Sequence, residues 1–375
     1  MVKVLKKKEK KVSKTTIVKK RTVKKKPVKT LKKTSKLLRF HSNPIIEPRP
    51  YSWESKATLN PAAFLADGKI HLIYRAIGDD DVSVLGYASS LNGYNLDERP
   101  IHSIYHKYGK FIKSEELINY VSGGGWNGGC EDPRVTLIDD VVYMLYTAFD
   151  GWGSVRIALT SITLNDFKKK RWNWESPVLI SPPSEIHKNW VLFPERINGK
   201  FAILHSISPE IMIDYFDSLD ELDGEKFIYS IHQNDPRWQL RERGIRGVGP
   251  TPIKTRLGWL ILYHVIEDHD PNRYKLFAMI LDFKDPTKIL YRLPGPILEP
   301  DKHYENEGFK SGVIYSCGAV VKPASPSQGG DGELFVYYGG ADSVVCVATI
   351  KLSDLVNDLQ KNKMVKLKKS RLFEP

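Results

Sequence analysis

The chain has 375 residues, 41% hydrophobic and 27% charged, enough apolar material for one large domain or two smaller ones. No apolar run approaches the ~18 residues that a membrane helix needs. The charged N-terminus lacks the apolar segment of a signal peptide, so a cytoplasmic protein without a membrane span is expected. The formal charge of +13 is unevenly placed: residues 1–36 hold 17 Lys or Arg and one acid, a local +16, and the remainder carries −3.

Residues 1–36, "MVKVLKKKEKKVSKTTIVKKRTVKKKPVKTLKKTSK", repel one another and cannot offset their ordering entropy by burial, so a disordered basic tail is expected there. Attachment to an anionic surface or nucleic acid is one reading of this tail. A solvated tail without a dedicated partner is the other. No aromatic residue interleaves the lysines, so base stacking is not indicated.

Residues 37–375 are expected to form one domain with a short C-terminal extension. From about residue 41 a pattern repeats in five segments: 60–78, 131–150, 192–208, 249–267 and 317–342. Each has a short apolar strand, a polar turn and a second alternating strand. Four turns, "ADGK", "IDDV", "INGK" and "GDGE", carry hairpin chemistry. A third apolar strand often follows, as in "VLGYASS" and "VRIALTS". Taking Pro61, Pro133, Pro194, Pro250 and Cys317 as markers, the steps are 72, 61, 56 and 67 residues. Antiparallel meanders at this spacing cannot close alone, and they predict an all-β, five-bladed β-propeller. Helical periodicity is nearly absent outside "LSDLVNDLQKNK" (352–363).

In a propeller the first strands line a central channel, so the residues leading into them converge. That places Asn60, Glu131, Asp132, Arg134, Glu195 and the backbone around Gly249 at a common funnel. The ends of the second strands add Arg75, Thr147, His205, His264 and Asp342. Acids and arginines in a concave site suit a polyhydroxylated ligand, with Trp126, Trp190, Tyr263 and Tyr304 available for ring packing. The stretch "GGGWNGGCEDPRVTLIDD" (123–140) is expected to fold over the funnel and deliver Asp132 to the axis. Partial desolvation beside Glu131 predicts a raised pKa for Asp132, which suits a general acid. A capping role, or a structural pair with Arg134, is the alternative. Cys130, Cys317 and Cys346 offer neither a disulfide framework nor zinc spacing. No metal and no cofactor motif is indicated.

The runs "GGCEDPRVTLIDDVVYMLYTAFD", "NPAAFLADGKIHLIYRAIG", "KNWVLFPERINGKFAILH", "GPTPIKTRLGWLILYH", "PILEPD" and "CGAVV" with "YYGGAD" resemble glycoside hydrolase family 130, the mannoside phosphorylases and related β-mannosidases. The resemblance spans roughly residues 40–355 and implies a five-bladed propeller that attacks a β-mannoside with inversion. It implies that Asp132 is the general acid, acting through a sugar hydroxyl, and that Asn60, Arg75 and Asp342 hold the mannose, with Glu131 and Arg134 beside them. It implies that Arg156, Lys188 and His264 belong to a cluster for phosphate or acceptor, and it allows a homo-oligomer.

Where the phosphorylases read "LHRP", this chain reads "LHSIS", so Ser206 stands in place of an arginine. Loss of one guanidinium contact costs roughly 1.5–3 kcal/mol. Hydrolysis of a β-mannoside oligosaccharide is therefore the favoured expectation, with Glu195, Glu267 and Asp268 as candidate bases. An inverting hydrolase needs its carboxyls about 6.5–9.5 Å apart, and the sequence does not choose among the three. Phosphorolysis, with inorganic phosphate as co-substrate and mannose 1-phosphate as product, is the alternative. A non-catalytic sugar-binding propeller is the second alternative.

Overall fold

The computed structural model describes residues 35–106, 127–232, 234–242, 244–324 and 332–362. They all belong to one compact unit, Thr34–Pro375. The basic tail, apart from Ser35 and Lys36, and Trp126 lie outside the described residues.

The hairpins form where the turn chemistry demands them. Asp67–Gly68, Asp139–Asp140 and Asn198–Gly199 each place two successive residues at positive φ, between 48° and 83°. Two-residue turns of this kind match the twist of the flanking strands. They set the registers Ala66↔Lys69 and Ile138↔Val141, and the bridge Ile197↔Lys200.

Five antiparallel meanders result. The first is Ala57–Ala66, Lys69–Ile77 and Ser83–Ser90. The second is Gly129–Ile138, Val141–Phe149, Val155–Thr163 and Val178–Leu179. Val191–Leu192, Phe201–Ile207 and Ile211–Phe216 make the third. The fourth has Ile245–Val248, Ile253–Thr255, Gly258–Val265, Lys275–Leu281 and Ile289–Arg292. The fifth has Ile314–Lys322, Glu333–Gly340 and Val344–Lys351. Hydrogen bonding groups the described strands into four sheets, because a single parallel pair, Ser83↔Gly129, joins the first two meanders.

Every meander buries both faces against its neighbours, and the apolar clusters record this. Ile73 and Tyr87 of the first meet Val135 and Met144 of the second. Ile157 and Leu159 of the second meet Trp190 and Ile203 of the third. Ala202 and Leu204 meet Ile261 and Met279 of the fourth. Leu262 and Ala278 meet Val336 and Tyr338 of the fifth. Phe335 and Val347 of the fifth then meet Ile70 and Leu72 of the first. Each fully buried side chain of this kind contributes roughly 1.5–3 kcal/mol, so these faces hold the molecule together.

The helix expected near the C-terminus runs over Leu352–Lys361 and seats Leu355 and Leu359 in the cluster of the fourth and fifth meanders. At the other end Leu38–Arg39 pairs with Val344–Lys351 and completes the fifth meander. Arg39 locks it there through both oxygens of the buried Glu305, at 2.7 and 2.9 Å. Tyr338 donates to the same carboxylate at 2.8 Å. Among the described residues, no helix is long and apolar enough to cross a membrane.

Candidate active site

The site begins with one local irregularity used twice. Register breaks between Leu59 and Ala62, and again between Glu131 and Arg134. Each bulge holds a left-handed residue before a proline: Asn60 at φ 48° and Asp132 at φ 49°. Asn and Asp tolerate this conformation better than other non-glycine residues, and the proline that follows has no ladder hydrogen bond to lose. The bulge swings both side chains out of the strand alternation. They meet: Asn60 Nδ2 donates to Asp132 Oδ1 at 2.8 Å. The second strand of the fifth meander passes so close that a Cβ on Gly339 would lie 2.3 Å from Asn60 Oδ1, which requires glycine there.

Arg75 crosses beneath this contact. Its guanidinium donates to Glu131 Oε1 at 3.0 Å, to Asp132 Oδ1 at 3.3 Å and, through Nε, to Ser83 Oγ at 2.9 Å. Arg134 has a different task. It donates to the main-chain carbonyls of Asp132 (2.8 Å), Gly249 (3.1 Å) and Val248 (3.3 Å) and to Asn189 Oδ1 (2.8 Å). It pins three meanders together and forms no ion pair with the Asp132 carboxylate.

The charge states differ from the sequence expectation. Burial acts to raise the pKa of Asp132, as anticipated, but Arg75, Arg134, the Asn60 hydrogen bond and Lys188 outweigh it, so this carboxyl is held below the usual range. The raised carboxyl is Asp342, pushed up to about 6, first by burial and also by the neighbouring charge of Asp132. Lys310, Arg75 and Lys188 offset that rise only in part. Asp342 takes a left-handed turn position (φ 52°), is 6% exposed and has no hydrogen bond or ion pair among the described residues. One site therefore holds two acids whose titrations are displaced in opposite directions.

A carboxyl whose pKa rises on folding stabilises the fold while protonated, and that contribution is lost as pH climbs from the unfolded value of 3.8 through about 6. Asp342→Asn should therefore melt above wild type at pH 7 and converge with it near pH 4. Melting curves of the two proteins across this window check the sign.

The remaining predicted residues separate into near and far. Lys188 is half-buried and its field acts on both Asp132 and Asp342. His264 is fully buried and stacked on Tyr315, with ring centroids 4.2 Å apart and planes 3° from parallel. Its Nε2 accepts the Ser316 N–H at 2.9 Å, and burial with Arg134 pushes its pKa down to about 3. It is neutral, which removes the positive charge expected of a phosphate ligand. Arg156 donates to the Ser181 carbonyl at 2.7 Å and lies over Phe227, and its Nη2 is buried without a partner. Its described contacts do not reach the carboxyl cluster.

The candidate bases fall away. Glu195 pairs with Lys254 at 2.6 Å. Lys254 lines a cavity of about 500 Å³ with Ala63, Val135 and Ala319, at the far ends of the strands that carry Asn60 and Asp132. Glu267 is tied to the buried Lys275 at 2.7 Å. Asp268 is exposed, with no described partner. Trp190 and Tyr263, expected to pack on sugar, are core residues, and Tyr263 accepts from Arg292 at 2.6 Å.

The misplacement of Glu195 has a structural cause. The third inner strand is only Val191–Leu192, paired with Leu204 and Ile203. Counting back from that register, the equivalent of Asn60 and Asp132 is Asn189, which also has positive φ (67°). Asn189 accepts from Arg134 and from Tyr315 Oη (2.5 Å). Its left-handed Asn before a strand was the available signal, but Pro194 drew the alignment four residues too far. Tyr315 and Lys310 carried no motif.

Residues 20–361 match the family model for glycoside hydrolase 130, described as beta-1,4-mannooligosaccharide phosphorylase. The chain is 37% identical over 331 residues to a 1,2-beta-oligomannan phosphorylase of Thermoanaerobacter sp. strain X514, covering 85% of this chain and 99% of that one. It is 33% identical over 334 residues to a beta-1,2-mannobiose phosphorylase of the same organism, covering 84% and 97%. The structure of beta-1,2-mannobiose phosphorylase from Listeria innocua in complex with beta-1,2-mannobiose superposes with a TM-score of 0.63 at 24% identity, over 87% of this chain and 99% of that one, a likeness of fold. The chain belongs to glycoside hydrolase family 130 and is an enzyme of its glycosidase or glycoside phosphorylase type.

Proposed function

We propose that this enzyme is a phosphorylase of β-1,2-linked mannosides, releasing mannose 1-phosphate with inversion. The observation that carries the reading is the fate of the candidate bases. Glu195 and Glu267 are each paired with a lysine and Asp268 lies on the surface, so none is set to activate water. Lys188, in contrast, directs a positive field onto the two aspartates of the site. The similarity to two phosphorylases of β-1,2-mannosides supports the linkage.

In this reading Asn60, Arg75 and Asp342 hold the non-reducing mannose. A phosphate oxygen attacks its anomeric carbon, the glycosidic C–O bond breaks, and the leaving oxygen takes a proton that originates on Asp132 and passes through a sugar hydroxyl. Asp132 is ionised in the empty site. Phosphate beside Lys188 offsets part of the field that keeps it so, and the acid gains its proton as the nucleophile arrives. Asp132 is left ionised when product leaves and takes its next proton from solvent as another phosphate binds.

The architecture we infer is a five-bladed β-propeller. Apolar clusters shared by each meander and the next, with the fifth meeting the first, support it. Cys130, Cys317 and Cys346 are all buried, and the free thiols of Cys317 and Cys346 support a reducing, cytoplasmic setting.

Hydrolysis is the second reading, favoured by Ser206. Incubation with β-1,2-mannobiose separates the two. Mannose 1-phosphate is expected only when phosphate is supplied, and free mannose released at an equal rate without phosphate would overturn phosphorolysis.

A further inference from the structure

Arg241 and Arg246 carry charges that none of the family motifs account for. They face one pocket of about 130 Å³, with Lys188, His205 and Ser206 in its walls. Neither arginine makes a side-chain hydrogen bond or ion pair among the described residues, whereas Arg237 of the same segment is paired with both Asp235 and Glu210. Arg241 Cζ lies over Trp238, 3.8 Å from the ring centroid. Burial and the charge of Arg246 both act to lower its pKa, so the two guanidinium groups sit close enough to repel.

A second observation is independent of the arginines. His205 is 7% exposed, lines the same pocket, and keeps a buried Nδ1 without a partner. Ser206 contributes no charge, and its hydroxyl is spent on the carbonyls of Glu210 (3.0 Å) and Ser208 (3.4 Å). The pocket adjoins the carboxyl cluster through Asn189, which accepts from Arg134 and donates to the Arg246 carbonyl, both at 2.8 Å. Close packing there needs Gly247, at φ 122°, since a Cβ would stand 2.6 Å from Asn189 Nδ2.

We propose that Arg241 and Arg246 bind the inorganic phosphate consumed in the reaction, supplying from the fourth meander the guanidinium that position 206 of the third lacks. The proposal rests on the phosphorolytic reading above. The pocket volume is enough for one tetrahedral anion. A phosphate offers each guanidinium fork two oxygens, which a single carboxylate cannot do for both. The repulsion between the two arginines, unrelieved by any described acid, is relieved by a dianion.

The test uses the full chain with inorganic phosphate and β-1,2-mannobiose. Arg241→Gln and Arg246→Gln should each raise the KM for phosphate by about ten- to a hundredfold. The KM for mannobiose at saturating phosphate should stay within about threefold of wild type. Ser206→Arg in the Arg241→Gln background should restore much of the phosphate affinity, a rescue that a merely structural role does not predict. Arg237→Gln, which removes a charge paired elsewhere on the same loop, should leave the phosphate KM unchanged. Phosphate-dependent wild type with unaltered phosphate KM in both arginine variants would overturn the assignment and leave phosphorolysis standing. Wild-type turnover that ignores phosphate would overturn the phosphorolytic reading, and this proposal with it.

Discussion

Asp132→Asn should lower kcat/KM for β-1,2-mannobiose by about 10²–10⁴-fold, the usual contribution of a positioned general acid. The substitution is nearly isosteric, and Asn60 Nδ2 still finds an acceptor oxygen at position 132, so the 2.8 Å contact survives. Sugar affinity measured by calorimetry should accordingly change little while turnover collapses. That split distinguishes loss of a proton donor from loss of the fold. A variant that retains turnover within about tenfold of wild type would remove Asp132 from the chemistry.

Arg75→Met should have the largest effect on stability. It strips Glu131, which has no exposed surface, of its described cationic partner and leaves a carboxylate in the interior. Breaking a buried pair from one side costs about 3–5 kcal/mol, a large part of the roughly 5–15 kcal/mol that holds a typical domain folded. Denaturant midpoints measure it directly. Adding Glu131→Gln to Arg75→Met should recover part of the loss, because a neutral amide at 131 needs less compensation. Against burial, which raises it, Arg75 is the largest influence that holds the Asp132 pKa low, so the same change raises that pKa. A single-mutant loss below about 1 kcal/mol would show the pair to be dispensable.

Much of the frame was legible because its causes are local. Asp-Gly, Asp-Asp and Asn-Gly between alternating strands specified hairpins, and the hairpins are where the sequence placed them. The markers Pro61 and Pro133 set Asn60 and Asp132 at equivalent positions, and both form left-handed bulges that aim a side chain into one site. The third copy was missed because its inner strand is two residues long and its proline lies at the far end, so Asn189 went unnoticed and Glu195 was chosen. The resemblance placed His264 in the phosphate or acceptor cluster, but the stack on Tyr315 and complete burial leave it neutral. Arg241 precedes the fourth meander and Arg246 lies on its short first strand, ahead of the repeated segment 249–267 and without a motif, and a shared pocket connects them to Lys188.

The sequence by itself determined the meander repeat, the turn positions and the pairing of Asn60 with Asp132 as equivalent positions, since each depends on a few neighbouring residues and their backbone preferences. Tertiary structure alone decided where the proton resides. Asp132 was expected to keep it to the higher pH and Asp342 does, because a pKa reflects desolvation and the summed field of charges that the chain brings from positions 75, 134, 188 and 310. Local sequence encodes the shape of a strand, but an electric field adds up only after distant segments have met.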